Sequence, residues 1–472
     1  MQPIRLTARR GFVLLGLRIL AAICMVAWLA PPCIDAFFRP FHAWYWAQSP
    51  QWAPSTVWLP GYTWLYGLAI TLTGDTVWTP GVLSAFFFGA TLVRLYQTLP
   101  AAHRTIALLW IGFTPLSWVV ASTGLSEAAF GFFLVYAVTG LARYGDTGDE
   151  RTLVAAALAI GIASAIRYDA WPLLPVFCVS ALRSSRRHGG ALRQGIWAIL
   201  PACVPVAWMG LSWVRRGDPW WFLTSVAHDQ YGATDPLTLL TGPGVLSVGL
   251  VLVGVGAALA VLRGQKRLTV SVALLGMAVA FAVWVFATGN LPSQLPERMM
   301  YPALLLSAPL VGAAWVHWAP YRLLGLATGL LTASAIYLVS LPDAVPPSER
   351  QLARLIDEAY AGGQLTPSQH VLVSGSYPEM TALVVNTGYS DRVHLEGVGQ
   401  RCPHHVLTCD SPCGAPLWRE DVAMVLVGNR EGQRTMAARG WTSVTRVGPY
   451  QVFFRLNGAP ALCPLPRVGA EP

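Results

Sequence analysis

The sequence predicts an α-helical polytopic membrane protein of about eleven spans, closed by an extracytoplasmic α/β domain. Three observations carry that prediction. Of 472 residues, 54% are hydrophobic and only 12% charged, which excludes an ordinary soluble domain. Apolar runs of roughly 17 to 25 residues, the length needed to cross a bilayer, follow one another from residue 11 to residue 340. After Leu341 and Pro342 the composition shifts abruptly to that of a water-soluble fold. The net charge of +9 would suggest nucleic acid in a soluble chain. Here its source is arginine in cytoplasmic loops, Lys266 being the sole lysine, and no nucleic-acid partner is expected.

Arg5, Arg9 and Arg10 precede the first apolar run, residues 11–30, which lacks a clear small-residue cleavage site. It reads as a signal anchor with a cytoplasmic N-terminus. Residues 31–75 follow as the first outer loop, too polar to cross and crowded with Trp44, Tyr45, Trp46, Trp52, Trp58, Tyr62, Trp64 and Tyr66. Such rings prefer the headgroup layer to water or hydrocarbon. Asp35 opens the loop, Arg39 and His42 follow at helical spacing, and WLPGYTWLYGL starts a short aromatic helix at a proline. The apolar run 59–72 competes for a place among the spans, but Pro60, Gly61 and its aromatic content assign it flat to the outer surface.

The second span is then 77–96, and the later ones are 105–121, 128–142, 153–166, 171–182, 195–213, 245–262, 268–287, 301–315 and 323–340. Segments 153–166 and 171–182, parted by the polar Arg167, Tyr168 and Asp169, either cross with a tilt or enter and return. Neither choice moves the C-terminus. Residues 213–239 form a second long outer loop that combines charge with Trp220, Trp221 and Phe222.

Charge supports this layout. Arg94 and Arg104, Arg143 and Arg151, Arg183 to Arg193, Arg263 to Arg267, and Arg322 all fall in the cytoplasm, as the positive-inside rule requires. The opposite loops carry Asp35, Asp75, Glu127, Asp169, Asp218, Asp229, Asp235 and Glu297 against Arg39, Arg167, Arg215, Arg216 and Arg298. An odd span count puts residues 341–472 on the outer face, beyond a transmembrane domain of residues 1–340.

In that last segment SERQLARLIDEAYAGG and NREGQRTMAARG read as helices, with a further helix near residues 378–385. HVLVSG, DVAMVLVG and the alternating TSVTRVGPYQVFFRL read as strands, which together predict a small α/β domain. Cys402, Cys409, Cys413 and Cys463 lie there, an even number in a compartment that allows disulfides, with three connectivities open. Zinc is the other reading, because His404 and His405 stand beside the cysteines; the oxidising side favours disulfides. Cys24, Cys33, Cys178 and Cys203 read as packing residues.

An acidic residue just after the first span, an aromatic outer loop with a proline-led surface helix, and a second acid in the next outer loop form a recognisable arrangement. It resembles the GT-C glycosyltransferases, in particular the protein O-mannosyltransferase and aminoarabinose-transferase branch and its bacterial relatives. On that likeness Asp35 matches the first-loop catalytic carboxylate, and WLPGYTWLYGLAITLTG is similar to the juxtamembrane helix ending in Gly. Glu127 in STGLSEAAF falls where a second-loop acid often lies, and ERMMYPALLL is similar to the arginine-tyrosine-proline segment that opens a late span. The resemblance implies a polyprenyl-phosphate-linked sugar donor, an acceptor protein, lipid or glycan, and a multi-pass protein of the cytoplasmic membrane. A divalent cation is possible, but no metal ligands are assigned.

Chemistry asks for the same residue types. Sugar transfer from a lipid phosphate to a hydroxyl needs a base for the incoming hydroxyl and cations for the departing phosphate. Asp35 is the candidate base; Arg298, Arg167 and Arg39 are candidates for the phosphate; Glu127 orients the acceptor or helps hold a divalent ion. His42, Tyr301 and Trp64 complete the candidate substrate-binding set. One base acting in one displacement implies inversion at the anomeric carbon. Each residue has a structural alternative: Asp35 as a helix cap, Glu127 as a carboxylate at a helix start, Arg298 paired with Glu297 on the surface, and Asp169 as the neutraliser of Arg167. A transporter or flippase for a lipid-linked glycan, or a non-catalytic envelope assembly protein, is the alternative function. Against transport, paired halves with matching broken helices are not evident and few ionisable residues fall within spans.

Overall fold

The computed structural model describes residues 8–29, 35–48, 50, 52–53, 58–190, 192–222, 244–262, 269–288, 295–315, 320–341, 347–374, 383–384, 386–389, 392–395, 422–428, 430–438, 441–448 and 450–455. These fall into two compact units, Met1–Pro32 with His42–Pro342, and Cys33–Phe41 with Asp343–Pro472.

The first unit is helical. Its helices are α1 (Ala8–Trp28), α2 (Asp35–Gln48, begun in the other unit), α3 (Pro60–Thr73), α4 (Trp78–Thr98), α5 (Ala101–Phe113), α6 (Pro115–Val120), α7 (Ser126–Thr147) and α8 (Glu150–Ile166). After a 3-10 turn at Tyr168–Leu173 come α9 (Leu174–Arg187), α10 (Leu192–Ile199), α11 (Cys203–Arg216), α12 (Gly244–Leu262) and α13 (Thr269–Ala287). A second 3-10 turn, Pro296–Met300, leads into α14 (Tyr301–Ala314), and α15 (Pro320–Ser340) ends the unit. Among the described residues, five helices are long and apolar enough to cross a membrane: Trp78–Thr98, Ser126–Thr147, Leu192–Arg216, Thr269–Ala287 and Arg322–Ser340. Leu15–Trp28 and Val245–Val261 are shorter apolar helices. The other four expected segments are helical as α5, α8, α9 and α14 but fall below that length.

Residues 31–75 hold two helices: α3, which starts at Pro60 as the sequence predicts, and α2, which the loop reading did not include. Pro60 occupies the first turn of α3, where its missing N–H costs nothing, and Gly74 closes the helix in the left-handed region at φ 71°. Tyr62 and Tyr66 stack on its buried face with ring centroids 4.1 Å apart. Gly67 lies so close to α2 that an added Cβ would sit 2.8 Å from the Ala43 carbonyl oxygen.

The expected span 105–121 is broken. Pro115 lacks an N–H and its ring excludes the carbonyl one turn back, so α5 stops at Phe113 and α6 starts anew. In an interior without water the freed carbonyls need other donors. Thr114 Oγ1 donates to the Ile111 carbonyl (3.4 Å), Arg18 Nε to that of Gly112, and Ser334 Oγ to that of Phe113 (2.8 Å). The break is thereby tied to both α1 and α15.

The second unit contains α16 (Pro347–Ala361), α17 (Arg430–Ala438) and strands β1 (His370–Ser374), β2 (Val393–Leu395), β3 (Val422–Val427), β4 (Thr442–Val447) and β5 (Tyr450–Phe454). The sheet order is β2-β1-β3-β5-β4, with β1 parallel to β2 and β3, and β5 antiparallel to β3 and β4. Leu372, Val422, Val425, Val427, Met436, Trp441 and Phe453 form its core. Every residue of β3 is buried, as a central strand requires. Cys33, Cys402, Cys409, Cys413, Cys463, His404 and His405, and most of the helix expected at 378–385, lie outside the described residues.

Candidate functional site

The first unit gathers charged side chains around the N-terminus of α7. Gly124, at φ 72°, turns the chain after α6, and Leu125 precedes the helix. The Tyr62 hydroxyl donates to the Gly124 carbonyl at 2.7 Å, and the Tyr66 hydroxyl is 2.9 Å from Ser84 Oγ. Helix α3 therefore fixes the turn that presents Ser126 and Glu127. Glu127 is fully buried in the first turn of α7, where the helix dipole favours a carboxylate.

Two arginines reach it. Arg167 leaves α8 in an extended conformation, which carries its side chain away from the helix. Its Nη1 donates to Glu127 Oε1 at 2.5 Å and to Ser126 Oγ at 3.0 Å, while its Nε donates to Asp169 Oδ2 at 2.5 Å. Arg167 Nη2 lies 3.7 Å from Met299 Sδ. Burial alone would depress the Arg167 pKa; the Asp169 and Glu127 carboxylates outweigh it and hold the value above the usual guanidinium range. Between Arg167 and Asp169, Tyr168 stacks on Phe222 at 4.8 Å and accepts a hydrogen bond from Trp208 Nε1 at 3.0 Å.

The second arginine comes from the turn Pro296–Met300. Arg298 Nε is 3.7 Å from Glu127 Oε1, with both side chains buried. Its neighbour Glu297 is also buried and accepts a hydrogen bond from the Tyr337 hydroxyl of α15 at 2.7 Å. The alternative of a surface pair between Arg298 and Glu297 does not hold: adjacent residues on a three-residue turn point about 120° apart, and each has its own buried partner. Tyr301 begins α14 against Gly131, where an added Cβ would come 3.0 Å from its ring. The Tyr301 hydroxyl is buried with no hydrogen-bond partner among the described residues.

No family model and no curated protein matches the sequence. Solved structures do. ArnT from Cupriavidus metallidurans bound to undecaprenyl phosphate superposes with a TM-score of 0.63 at 15% identity, over 96% of this chain and 99% of that one. The apo state of the same protein gives 0.62 at 15% identity, over 95% and 98%. The chain has a GT-C fold. A looser likeness is to the archaeal oligosaccharyltransferase AglB from Archaeoglobus fulgidus, at a TM-score of 0.47 and 12% identity, over 88% of this chain and 69% of that one.

Of the residues expected to serve this GT-C fold, the structure brings Glu127, Arg167 and Arg298 together. Asp35 and Arg39 belong to the segment grouped with the second unit, where they pair with each other at 3.7 Å across one turn of α2. His42 is half-buried on α2, and Trp64 packs on Trp52 with centroids 4.8 Å apart. Among the described residues no group of three or more His, Cys, Asp or Glu side chains is placed to hold a metal ion. Glu127 and Asp169 are instead committed to a guanidinium.

Three participants escaped the sequence reading. Ser126 and Tyr337 carry no signal beyond being polar. Arg18 does: it is a lone charge within an apolar run, and such a residue is expected to face the bundle. It is buried, its guanidinium lying 3.6 Å over Trp118 and 4.7 Å over Phe88.

Proposed function

We propose that the chain is an integral membrane glycosyltransferase that moves a sugar from a polyprenyl-phosphate-linked donor to an acceptor hydroxyl of a protein, lipid or glycan. The observation that carries this reading is the GT-C fold, shared over nearly the full length of both chains with a protein bound to undecaprenyl phosphate. The buried Glu127, Arg167 and Arg298 cluster adds the cationic chemistry that a leaving phosphate needs.

Asp35 is the general base. Its carboxylate takes the acceptor proton as the hydroxyl oxygen attacks the anomeric carbon; the bond from that carbon to the phosphate oxygen breaks, and the electron pair leaves with the phosphate. This single displacement inverts the anomeric centre. Arg39, one turn on, orients Asp35 and adds positive charge for the phosphate. Arg298 stabilises the charge that develops on the leaving oxygen. Arg167 contributes to the same field and also fixes Glu127, which sets the position of Arg298. Tyr301, Trp64 and His42 serve substrate binding.

The arginine asymmetry orients the eleven expected spans with the N-terminus in the cytoplasm, and the reactive side and residues 341–472 outside the cytoplasmic membrane. The test is transfer by the purified chain from a panel of polyprenyl-phosphate sugars, with the anomeric configuration of the product read by NMR. Turnover with at least one donor and an inverted product is expected. Failure with every donor, or a retained configuration, contradicts the reading.

A further inference from the structure

The turn Pro296–Met300 holds two opposite charges side by side and keeps them apart. Glu297 faces α15, where the Tyr337 hydroxyl donates to its Oε1 at 2.7 Å, and Arg298 faces Glu127 at 3.7 Å. Tyr337 is fully buried and Glu297 nearly so. One turn earlier on α15, Ser334 donates to the Phe113 carbonyl at the break between α5 and α6, which fixes where Tyr337 stands. The turn itself is entered through Leu295 at φ 54°, the only non-glycine residue in the left-handed region among the described residues. Such a conformation persists only when surrounding contacts over-determine it.

We infer that Tyr337 is a positioning residue for Arg298. Its hydroxyl satisfies the buried Glu297 carboxylate on the α15 side of the turn, and so prevents that carboxylate from claiming the guanidinium intended for the lipid phosphate. The inference rests on the phosphate role of Arg298 proposed above. Without the tyrosine O–H, Glu297 is a buried anion short of a donor, and Arg298 is the cation adjacent to it in the chain. Arg298 shares Glu127 with Arg167, and a second carboxylate held wholly by Arg298 leaves it less charge for an external phosphate.

The test uses the full-length chain in nanodiscs with undecaprenyl phosphate as the probe, and measures equilibrium binding. Tyr337→Phe keeps the ring and removes one oxygen. It is expected to weaken binding roughly ten- to a hundredfold, the worth of one hydrogen bond to a charged group. Glu297→Gln alone should bind as the wild type does. Glu297→Gln combined with Tyr337→Phe should recover most of the lost affinity, because the competing charge is gone; a purely structural role for Tyr337 gives no such rescue. The inference is overturned if Tyr337→Phe binds normally, or if the double variant binds as weakly as the single one. Failure of the wild type itself to bind the probe is a different result, and removes the phosphate reading on which the inference stands.

Discussion

Replacing Arg167 by methionine keeps much of the side-chain volume and removes the one group that touches both Glu127 and Asp169, each at 2.5 Å. Arg167, Glu127 and Asp169 have side chains 7%, 1% and 4% exposed, so water cannot take over the lost contacts. Breaking a buried ion pair from one side costs about 3–5 kcal/mol, because the partner is left as an uncompensated charge. Asp169 loses its cation, while Glu127 keeps Arg298 at 3.7 Å, which puts Arg167→Met within that range. Neutralising Asp169 as well, in Arg167→Met with Asp169→Asn, removes the stranded charge and leaves a penalty of about 1–3 kcal/mol for imperfectly paired groups. The double variant is therefore expected to be more stable than the single one, an inversion of ordinary additivity. Reversible unfolding in mixed detergent micelles measures both. A single variant within about 1 kcal/mol of wild type, or a double variant no better than the single one, refutes the account of the cluster.

Other consequences are independent of that one. Gly67→Ala puts a methyl group 2.8 Å from the Ala43 carbonyl oxygen, a backbone atom that cannot step aside, and should cost about 1–3 kcal/mol by the same unfolding measurement. Reporter fusions at Arg187 and Gln265 should report the cytoplasm and one at Ser348 the outer side; a cytoplasmic signal at Ser348 overturns the orientation. Arg298→Ala should weaken donor binding and also lower turnover, since it removes a charge used in ground and transition states alike, and an unchanged KM for donor would exclude that role.

Much of the architecture was legible in residue pattern. Pro60 and Gly74 bracket α3 because one has no N–H to lose and the other tolerates a positive φ. HVLVS, VAMVLV and the alternating run after Trp441 became β1, β3 and the β4-β5 hairpin. What escaped detection was set by contacts distant in sequence. Segment 105–121 read as one span because hydropathy does not register the carbonyls that Pro115 frees, nor that α1 and α15 would supply donors for them. The three-residue β2 has too short a pattern to register and exists by pairing with β1. At the site, the types of Glu127, Arg167 and Arg298 were visible from charge and loop position. Their partners were not: the choice between Glu297 and Glu127 for Arg298 depends on a 3-10 turn and on a tyrosine forty residues away.

The central claim is a carboxylate-assisted transfer, and the most direct measurement is the initial rate of sugar transfer by wild-type and Asp35→Asn proteins from the donor that the panel selects. Asparagine keeps the size and removes the base, so turnover is predicted to fall at least about a hundredfold while folding and undecaprenyl phosphate binding are retained. Near-normal transfer by folded Asp35→Asn protein would contradict the account.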